Sequence, residues 1–181
     1  MSAMNFDSAE CSCIIQFASL VFVAVGGVFA LCQWRRRVKE SEARFLKSLL
    51  DEFYGGVMVK FAQMVDYGAW RYGDDFHGSE LEPLTDQAMS MAAYVCYLFL
   101  NKIIDADEFR FFKYDIDRLV DHYGVRDYLY NIHHFARRTK SGSPFCWLCD
   151  YGKKTGHINA EEFENPKEWQ SNHRYHHYLN W

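Results

Sequence analysis

Residues 14–32 read IIQFASLVFVAVGGVFALC, nineteen residues without a charged side chain. Only Gln16 and Ser19 are clearly polar within this stretch. As an α-helix it rises about 28 Å, close to the roughly 30 Å hydrocarbon thickness of a bilayer. The sequence therefore predicts a transmembrane helix, which we place at residues 11–34.

The two flanks of this apolar stretch differ in charge. Trp34 lies where an interfacial aromatic residue is expected, and three arginines follow it directly: Arg35, Arg36 and Arg37. Every Lys and Arg lies after Gln33, whereas residues 1–10 carry only two charged residues, Asp7 and Glu10. Because basic residues stay on the cytoplasmic side, the pattern predicts residues 1–10 outside a cell (inner) membrane and the rest inside. Trp34 and the three arginines are the predicted membrane-interface residues.

A cleaved signal peptide is the main alternative to an uncleaved anchor. It requires basic residues before the apolar run and a small-residue cleavage site after it. The first requirement is reversed here, and the bulky Leu31 before Cys32 also disfavours a lipoprotein signal. Gly26 and Ala30 are spaced as a small-xxx-small pair, which permits close helix approach in lipid and leaves a dimer contact open.

Composition restricts the rest of the chain to an ordered helical protein. Of 181 residues, 49% are hydrophobic and 18% aromatic, enough for a packed core. A net charge of -4 argues against a general nucleic-acid binder, which needs a basic surface. Only 3 prolines interrupt the chain. We predict an all-α fold: a single N-terminal transmembrane helix followed by a compact cytoplasmic helical bundle.

The residues after the membrane helix predict its continuation as a juxtamembrane helix over 35–54. This stretch contains no proline or glycine and is rich in strong helix formers, with Glu40 and Arg44 spaced as an i,i+4 pair. Its apolar residues fall on one side, able to pack on the domain or on a second copy: Val38, Phe45, Leu46, Leu49, Leu50 and Phe53. Gly55 and Gly56 predict a hinge.

Residues 55–156 are predicted to form the helical domain. We expect a helix from Val57 to about Tyr72, a loop, and a helix opened by Thr85 whose apolar run 88–100 is buried; thirteen residues are too few for a second span. Asp105 and Glu108 match a capping box, and the apolar periodicity of the helix they open continues to Gly124.

The last part of the chain predicts shorter helices. A helix that starts near Val125 and has basic residues, up to Lys140, near its end precedes a short one capped by Ser143 and stopped by Gly152. Residues 157–181 form a more polar tail, rich in aromatic residues and histidine, with a cap at Asn159.

The strongest chemical pattern is the pair Cys146 and Cys149, because two thiolates separated by two residues can bind one zinc ion. The tail offers histidines that can complete a tetrahedron: His157, His173, His176 and His177. A structural role is the competing interpretation, in which both cysteines are small apolar residues on one side of a short helix. The cofactor prediction is therefore none, with zinc as the alternative.

A second pattern is an Arg followed by a His at the spacing found in all-helical ribonucleases of bacterial toxins. Arg126 and His133 fit it, as do Arg71 and His77. His can move a proton and Arg can stabilise phosphorane charge. Chance alone produces such spacings in a chain with this many histidines and arginines, so we predict no catalytic residues and keep Arg126 and His133 as the alternative.

Acidic residues occur in two further groups. Asp74 and Asp75 precede His77 in a loop, and Asp115, Asp117 and Asp121 recur within one helix. Solvated acidic surfaces explain both groups more simply than cation sites do. The chain has no glycine-rich phosphate loop, HExxH or GxSxG motif.

Residues 94–138 and the segment SPFCWLCDYGKK at 143–154 resemble a family of uncharacterised bacterial proteins with one N-terminal span and a small helical cytosolic domain. The shared features are an apolar helix, a short acidic turn after Ile103-Ile104, an amphipathic helix and an aromatic-containing helix near Trp147. The family supplies no catalytic residues. Some members are thought to lie near mobile elements and defence genes, which implies membrane-linked regulation or defence.

These patterns predict a membrane-anchored, non-enzymatic helical interaction or regulatory module at the cytoplasmic face. Its expected partners are the lipid bilayer and either another protein or a second copy. The alternative is a membrane-tethered toxin or effector enzyme, either the Arg/His ribonuclease or a zinc-dependent site.

Overall fold

The computed structural model describes the backbone of residues 8–172 and the side-chain surroundings of residues 16–171. Over this part of the chain the fold contains eight α-helices and no strand. They are α1 (Ser8–Tyr54), α2 (Val57–Asp66), α3 (Leu81–Leu100), α4 (Ala106–Asp121), α5 (Tyr123–Arg138), α6 (Cys146–Thr155), α7 (Ala160–Glu164) and α8 (Pro166–Asn172). The predicted all-α class is confirmed.

The chain divides into two units, residues 1–48 and residues 49–181. In the first unit the apolar residues of α1 are exposed on every side, with Phe17 72% and Phe22 79% exposed. This helix is the one candidate membrane span among the described residues, by length and composition. The predicted second-span alternative at residues 88–100 does not reach that length.

Helix α1 continues without a break from the apolar stretch into the basic and acidic residues after it, as predicted. The predicted Glu40–Arg44 pair is wrong in its partner. Glu40 accepts instead from Arg36, whose Nε atom lies 3.0 Å from Glu40 Oε1. Both residues are solvated and one turn apart, so either arginine is within reach of this carboxylate.

In the second unit α3 is the central helix and packs against α2, α4 and α6. Its small buried residues Ala88, Ala92 and Ala93 permit this close approach on several sides. The last turn of α1 belongs to the same core: Phe53 is fully buried, and its ring centroid lies 5.0 Å from that of Phe112 on α4. The predicted burial of the apolar run 88–100 is confirmed at most of its positions, Tyr94 being the largest exposed side chain in it.

Helix α2 ends at Asp66, earlier than the predicted Tyr72. The chain then turns, and Trp70 enters the core from a loop, where its Nε1–H donates to Thr85 Oγ1 at 2.9 Å. Trp70 is 1% exposed, so it is a core residue contributed by a loop and not by the apolar face of a helix. Thr85 lies within α3, which begins at Leu81, and the predicted start at Thr85 is therefore wrong by one turn.

The capping box of α4 is confirmed. Asp105 Oδ1 accepts the backbone N–H groups of Asp107 and Glu108, both at 2.8 Å, and Glu108 Oε2 accepts the backbone N–H of Asp105 at 2.9 Å. Helix α4 ends at Asp121, short of the predicted Gly124, because the backbone of His122 is extended and reorients the chain into α5.

Gly152 does not end α6, contrary to the prediction. It lies inside the helix and is buried, and Ile158 packs so close to it that a Cβ atom there would lie 2.6 Å from Ile158 Cδ1. The helix ends at Gly156, whose φ of 82° is the left-handed conformation that favours glycine after a helix. The predicted Ser143 cap is also wrong, since Phe145 is the N-cap.

The segment after Gly156 packs on α5. Asn159 caps α7 as predicted, accepting the backbone N–H groups of Glu161 and Glu162. Phe163 is fully buried, and the Trp169 ring stacks on Tyr130 at a centroid distance of 4.4 Å. This tail was expected to be more polar, yet Phe163 and Trp169, the aromatic residues of its described part, belong to the core. Residues 173–181 lie outside the described part of the chain.

Candidate functional site

The predicted membrane interface lies in the first unit. Trp34 is 62% exposed, and Arg35 to Arg37 follow it on the same continuous helix. The apolar residues before them, from Phe17 to Leu31, contact no other part of the described chain closely enough to become buried. A helix with large apolar side chains exposed all around it matches lipid as its surroundings.

Arg126 and His133 lie on α5 but take part in separate contacts. Arg126 Nη1 donates to the carbonyl of His157 at 3.1 Å. His133 Nε2 lies 3.5 Å from Glu164 Oε1, and burial lowers the pKa of this histidine. Seven positions correspond to about 10 Å along a helix axis, and each side chain meets a different segment of the tail.

The side chains that surround Glu164 form a cationic cluster. Glu164 accepts from Lys153 Nζ at 2.5 Å and also pairs with Arg137. Together with His133 these contacts hold the pKa of Glu164 below its usual value. Lys153 and Arg137 thus compensate the negative charge of Glu164. The cluster links α5, α6 and α7.

Arg126 instead lines an open cavity of about 460 Å³ where α4 meets α5. Arg118 and His122 line it as well, and Arg118 forms ion pairs with Asp66 at 2.9 Å and Asp115 at 3.0 Å. Burial and the nearby Arg126 lower the pKa of His122. Sequence reasoning missed His122, and the signal that was available is its i,i+4 spacing to Arg126.

The charges in this cavity are nearly balanced. Asp66 and Asp121 line it beside the two arginines, and the lowered pKa of His122 favours its neutral form. A cavity with two positive and two negative side chains has no strong preference for an anion. The arrangement fits a structural junction better than a substrate pocket.

The two cysteines of the CxxC pattern differ in exposure. Cys149 is buried, and burial raises the pKa of its thiol to about 12, whereas Cys146 is half-buried. His157 faces other groups: its two ring nitrogens lie 3.4 Å from Asp117 Oδ1 and 3.6 Å from Asp121 Oδ1. His173 lies outside the described residues, as do His176 and His177. Within residues 16–171 no cluster of three or more His, Cys, Asp or Glu side chains has the geometry of a metal site.

His77 takes part in a chain of polar contacts within the loop before α3. Its Nε2 atom lies 3.1 Å from the Tyr72 hydroxyl, and its Nδ1 atom lies 2.7 Å from Glu82 Oε1. The Gly78 N–H donates to the other oxygen of Glu82 at 2.6 Å. Burial raises the pKa of Tyr72, so this phenol is not an activated nucleophile. The chain of contacts holds the loop against α3.

The acidic residues of α4 serve the fold at two positions. Asp115 accepts from Arg118 and from the Tyr54 hydroxyl, the latter at 2.9 Å. Asp117 accepts from Tyr151 at 2.6 Å and pairs with Lys113, and these contacts lower the pKa of Asp117. Asp121 is the most solvated of the three, with 71% of its side chain exposed.

Exposed aromatic residues form a surface that sequence reasoning did not predict. Tyr94 and Tyr97 on α3 stack at a centroid distance of 6.3 Å, and Trp147 on α6 meets Tyr97 edge-on at 5.2 Å. Tyr94 is 46% exposed and Trp147 36%. We name these three residues the aromatic strip. The i,i+3 spacing of the tyrosines places them on one helix face, but only the α3–α6 contact brings Trp147 beside them.

Comparison of the chain with protein-family models, with curated proteins and with solved structures found no match. The resemblance of residues 94–154 to a bacterial family thus stays a prediction.

Proposed function

We propose that the chain is a single-pass membrane protein whose second unit is a non-enzymatic interaction module at the cytoplasmic face. The observation that carries this proposal is the exposure of the apolar half of α1. In the most apolar part of this helix no residue is buried. A soluble protein buries such residues in its core, so a lipid environment is the surrounding that this helix fits best.

The aromatic strip supports an interaction role for the second unit. Tyr and Trp are enriched at the energetic centres of protein interfaces, because each contributes a large apolar area and a polar group. Tyr94, Tyr97 and Trp147 combine these residue types on adjacent helices, and Met91 on α3 lies one turn before Tyr94. A protein partner of apolar and aromatic surface matches this chemistry.

Orientation and membrane attachment are tested with reporters fused to each end of the full chain. A phosphatase active outside the cytoplasm is expected to report only at the N-terminus, and a fluorescent protein only at the C-terminus. Replacing Arg35, Arg36 and Arg37 by Gln is expected to scramble this orientation, whereas Lys at all three positions preserves it because the charge is retained. A cytoplasmic N-terminus in the unaltered chain contradicts the proposed orientation.

The partner is tested by cross-linking in native membranes, followed by identification of the linked protein. The double variant Tyr94→Ala, Trp147→Ala is expected to lower the yield of the cross-linked species at least tenfold, the usual size of an interface hot-spot effect. Tyr67→Ala is the matched control, since Tyr67 is 84% exposed and lies outside the strip. Equal yields from all three chains contradict a docking role for the strip.

A further inference from the structure

The apolar side of α1 continues beyond the membrane as a seam with heptad spacing. Leu31, Val38 and Phe45 recur at intervals of seven, and Trp34, Ser41 and Ser48 follow each of them after three positions. Apolar residues fill the three a positions and one d position, as in a coiled coil, and small serines fill the other two d positions. Charged residues fill most of the remaining places between 35 and 47, and none lies on the seam.

This seam is uncovered in the single chain. Val38 is 37% exposed, Phe45 is 42% exposed, and both serines between and after them are exposed. By contrast, Leu49 and Phe53 one and two turns later are buried in the second unit. The apolar side predicted for the juxtamembrane helix thus has two parts, of which only the later one is satisfied within the chain.

The charges beside the seam indicate what covers it. With Val38 at position a, Arg37 occupies position g and Glu42 position e, five residues later. In a parallel in-register pair, position g of one helix faces position e of the next heptad on the other. Arg37 of one copy therefore faces Glu42 of its partner, and the twofold symmetry of the pair repeats the contact.

Neither Arg37 nor Glu42 has an ion-pair partner among the described residues. An ion pair within α1 joins Arg36 to Glu40, which occupy positions f and c on the outer face of the seam. Val38, at the a position directly after Arg37, is a β-branched residue, which favours two-stranded pairing. The charges of Arg37 and Glu42 beside the seam are thus left for a second copy.

We propose that α1 pairs with α1 of a second copy as a parallel coiled coil through the juxtamembrane seam. This inference rests on the proposed membrane function and deepens it by naming a second copy as the partner of α1. Copies inserted in one orientation and at one depth are parallel and in register, as the pairing of Arg37 with Glu42 requires. Toward the bilayer the same register continues through Gly27 and Ala24, which lie roughly 110° around the helix from Gly26 and Ala30. The small-xxx-small pair therefore faces away from this seam.

A photoreactive amino acid placed in the full chain tests the seam in native membranes. At Ser41, a d position, it is expected to give a covalent dimer. At Ala43, an equally small and exposed residue at position f, the dimer yield is expected to be at least fivefold lower. Equal yields from the two positions, or no dimer from either, overturn the proposal.

Charge reversal supplies a test that a folding defect does not imitate. Glu42→Arg alone and Arg37→Glu alone each place like charges across both sides of the pair, which lowers capture of a differently tagged copy about fivefold. Co-expression of the two variants restores opposite charges at both contacts and is expected to return capture to the level of the unaltered chain. Failure of this rescue overturns the pairing.

The same membranes separate this proposal from the one on which it rests. Retention of each variant in an alkaline-washed membrane pellet reports the anchor, and cross-linking at Ser41 reports the seam. Loss of the unaltered chain from the pellet contradicts the membrane function. Full retention with equal cross-linking at Ser41 and Ala43 contradicts only the seam.

Discussion

The apolar half of α1 and the helix α3 have similar residue types and opposite surroundings. Side chains of α1 such as Val23 are 75% exposed, whereas Val95 and Cys96 of α3 are fully buried. The difference lies in length: α1 has an uninterrupted nineteen-residue apolar run, whereas the apolar run of α3 covers thirteen residues and follows polar residues such as Gln87. Apolar composition is therefore shared by an exposed helix and a buried one, and the length of the apolar run distinguishes the two.

A charge placed in each helix is expected to have the largest effect, and a different one in each. Val23→Asp adds a carboxylate to the predicted span, which costs about 3 kcal/mol on insertion, and removes the chain from the membrane pellet. Ala92→Asp places a charge at a fully buried position of α3 and is expected to unfold the second unit.

Membrane retention and protease resistance of the second unit are measured on both variants. We expect Val23→Asp to lose retention alone and Ala92→Asp to lose protease resistance alone. If either variant loses both properties equally, the two helices do not have the separate surroundings described here.

Replacing a glycine in each unit is expected to have a smaller effect, and only in the second unit. Gly152→Ala in α6 forces a methyl group against Ile158 and is expected to lower the free energy of unfolding by about 1–3 kcal/mol, despite the better helix propensity of alanine. Gly26→Ala in α1 meets nothing within 4 Å and is expected to change neither retention nor stability. Thermal unfolding of the full chain measures the stability of both variants, and the membrane pellet measures retention.

The partner side chain provides the internal check on this prediction. Combining Gly152→Ala with Ile158→Ala removes the atoms that the new methyl group would meet. The added destabilisation caused by Gly152→Ala is therefore expected to shrink in the Ile158→Ala background. An undiminished effect in that background contradicts steric crowding as its cause.

Acid sensitivity is expected to belong to the second unit. Burial lowers the pKa of both His133 and His134, so below about pH 6.5 the unfolded chain binds more protons than the folded one. Stability is then complete above that pH and falls as pH decreases toward the folded-state pKa values. We expect the thermal midpoint to drop between about pH 7 and pH 5, and to drop less when both histidines are replaced by Gln.

The lowered pKa of Glu164 acts in a separate window. Its contribution is present above the usual carboxyl pKa, near 4.5, and is lost only as pH falls below that value. A thermal midpoint that stays constant down to about pH 5 contradicts the histidine prediction and leaves the carboxylate prediction standing.

The smallest effect is expected at the solvated ion pair of α1. Arg36→Ala removes the contact with Glu40, whose two side chains are 83% and 49% exposed. Exposed i,i+4 pairs stabilise helices by only a few tenths of a kcal/mol, so retention and thermal stability should remain unchanged within error. A measurable loss of retention would show that Arg36 contributes by more than this pair.

The sequence was most informative where local rules decide the structure. The helical conformation of the apolar run, the unbroken continuation of α1, and the capping box at Asp105 and Glu108 depend on neighbours in the chain, and these predictions are confirmed. The end of α2 and the role of Gly152 depend on contacts with Thr85 and Ile158. Such contacts between distant segments have no local signature.

The candidate sites show the same limit. The sequence identified Arg126, His133 and the CxxC pair by residue type and spacing, but their surroundings come from the tail and from α3. Trp147 was noted only as an aromatic residue near the cysteines. Its place beside Tyr97 follows from the packing of α3 on α6, which apolar periodicity does not specify.

The buried thiols of Cys96 and Cys149 make the contact between α3 and α6 chemically readable. Burial raises the pKa of both thiols, so they are protonated while the two helices remain packed. An alkylating reagent also cannot reach them in that state, and it reacts with the thiolate. Timed alkylation of the native chain, read by peptide mass, therefore records how often this contact opens, with the unaltered protein as its own probe.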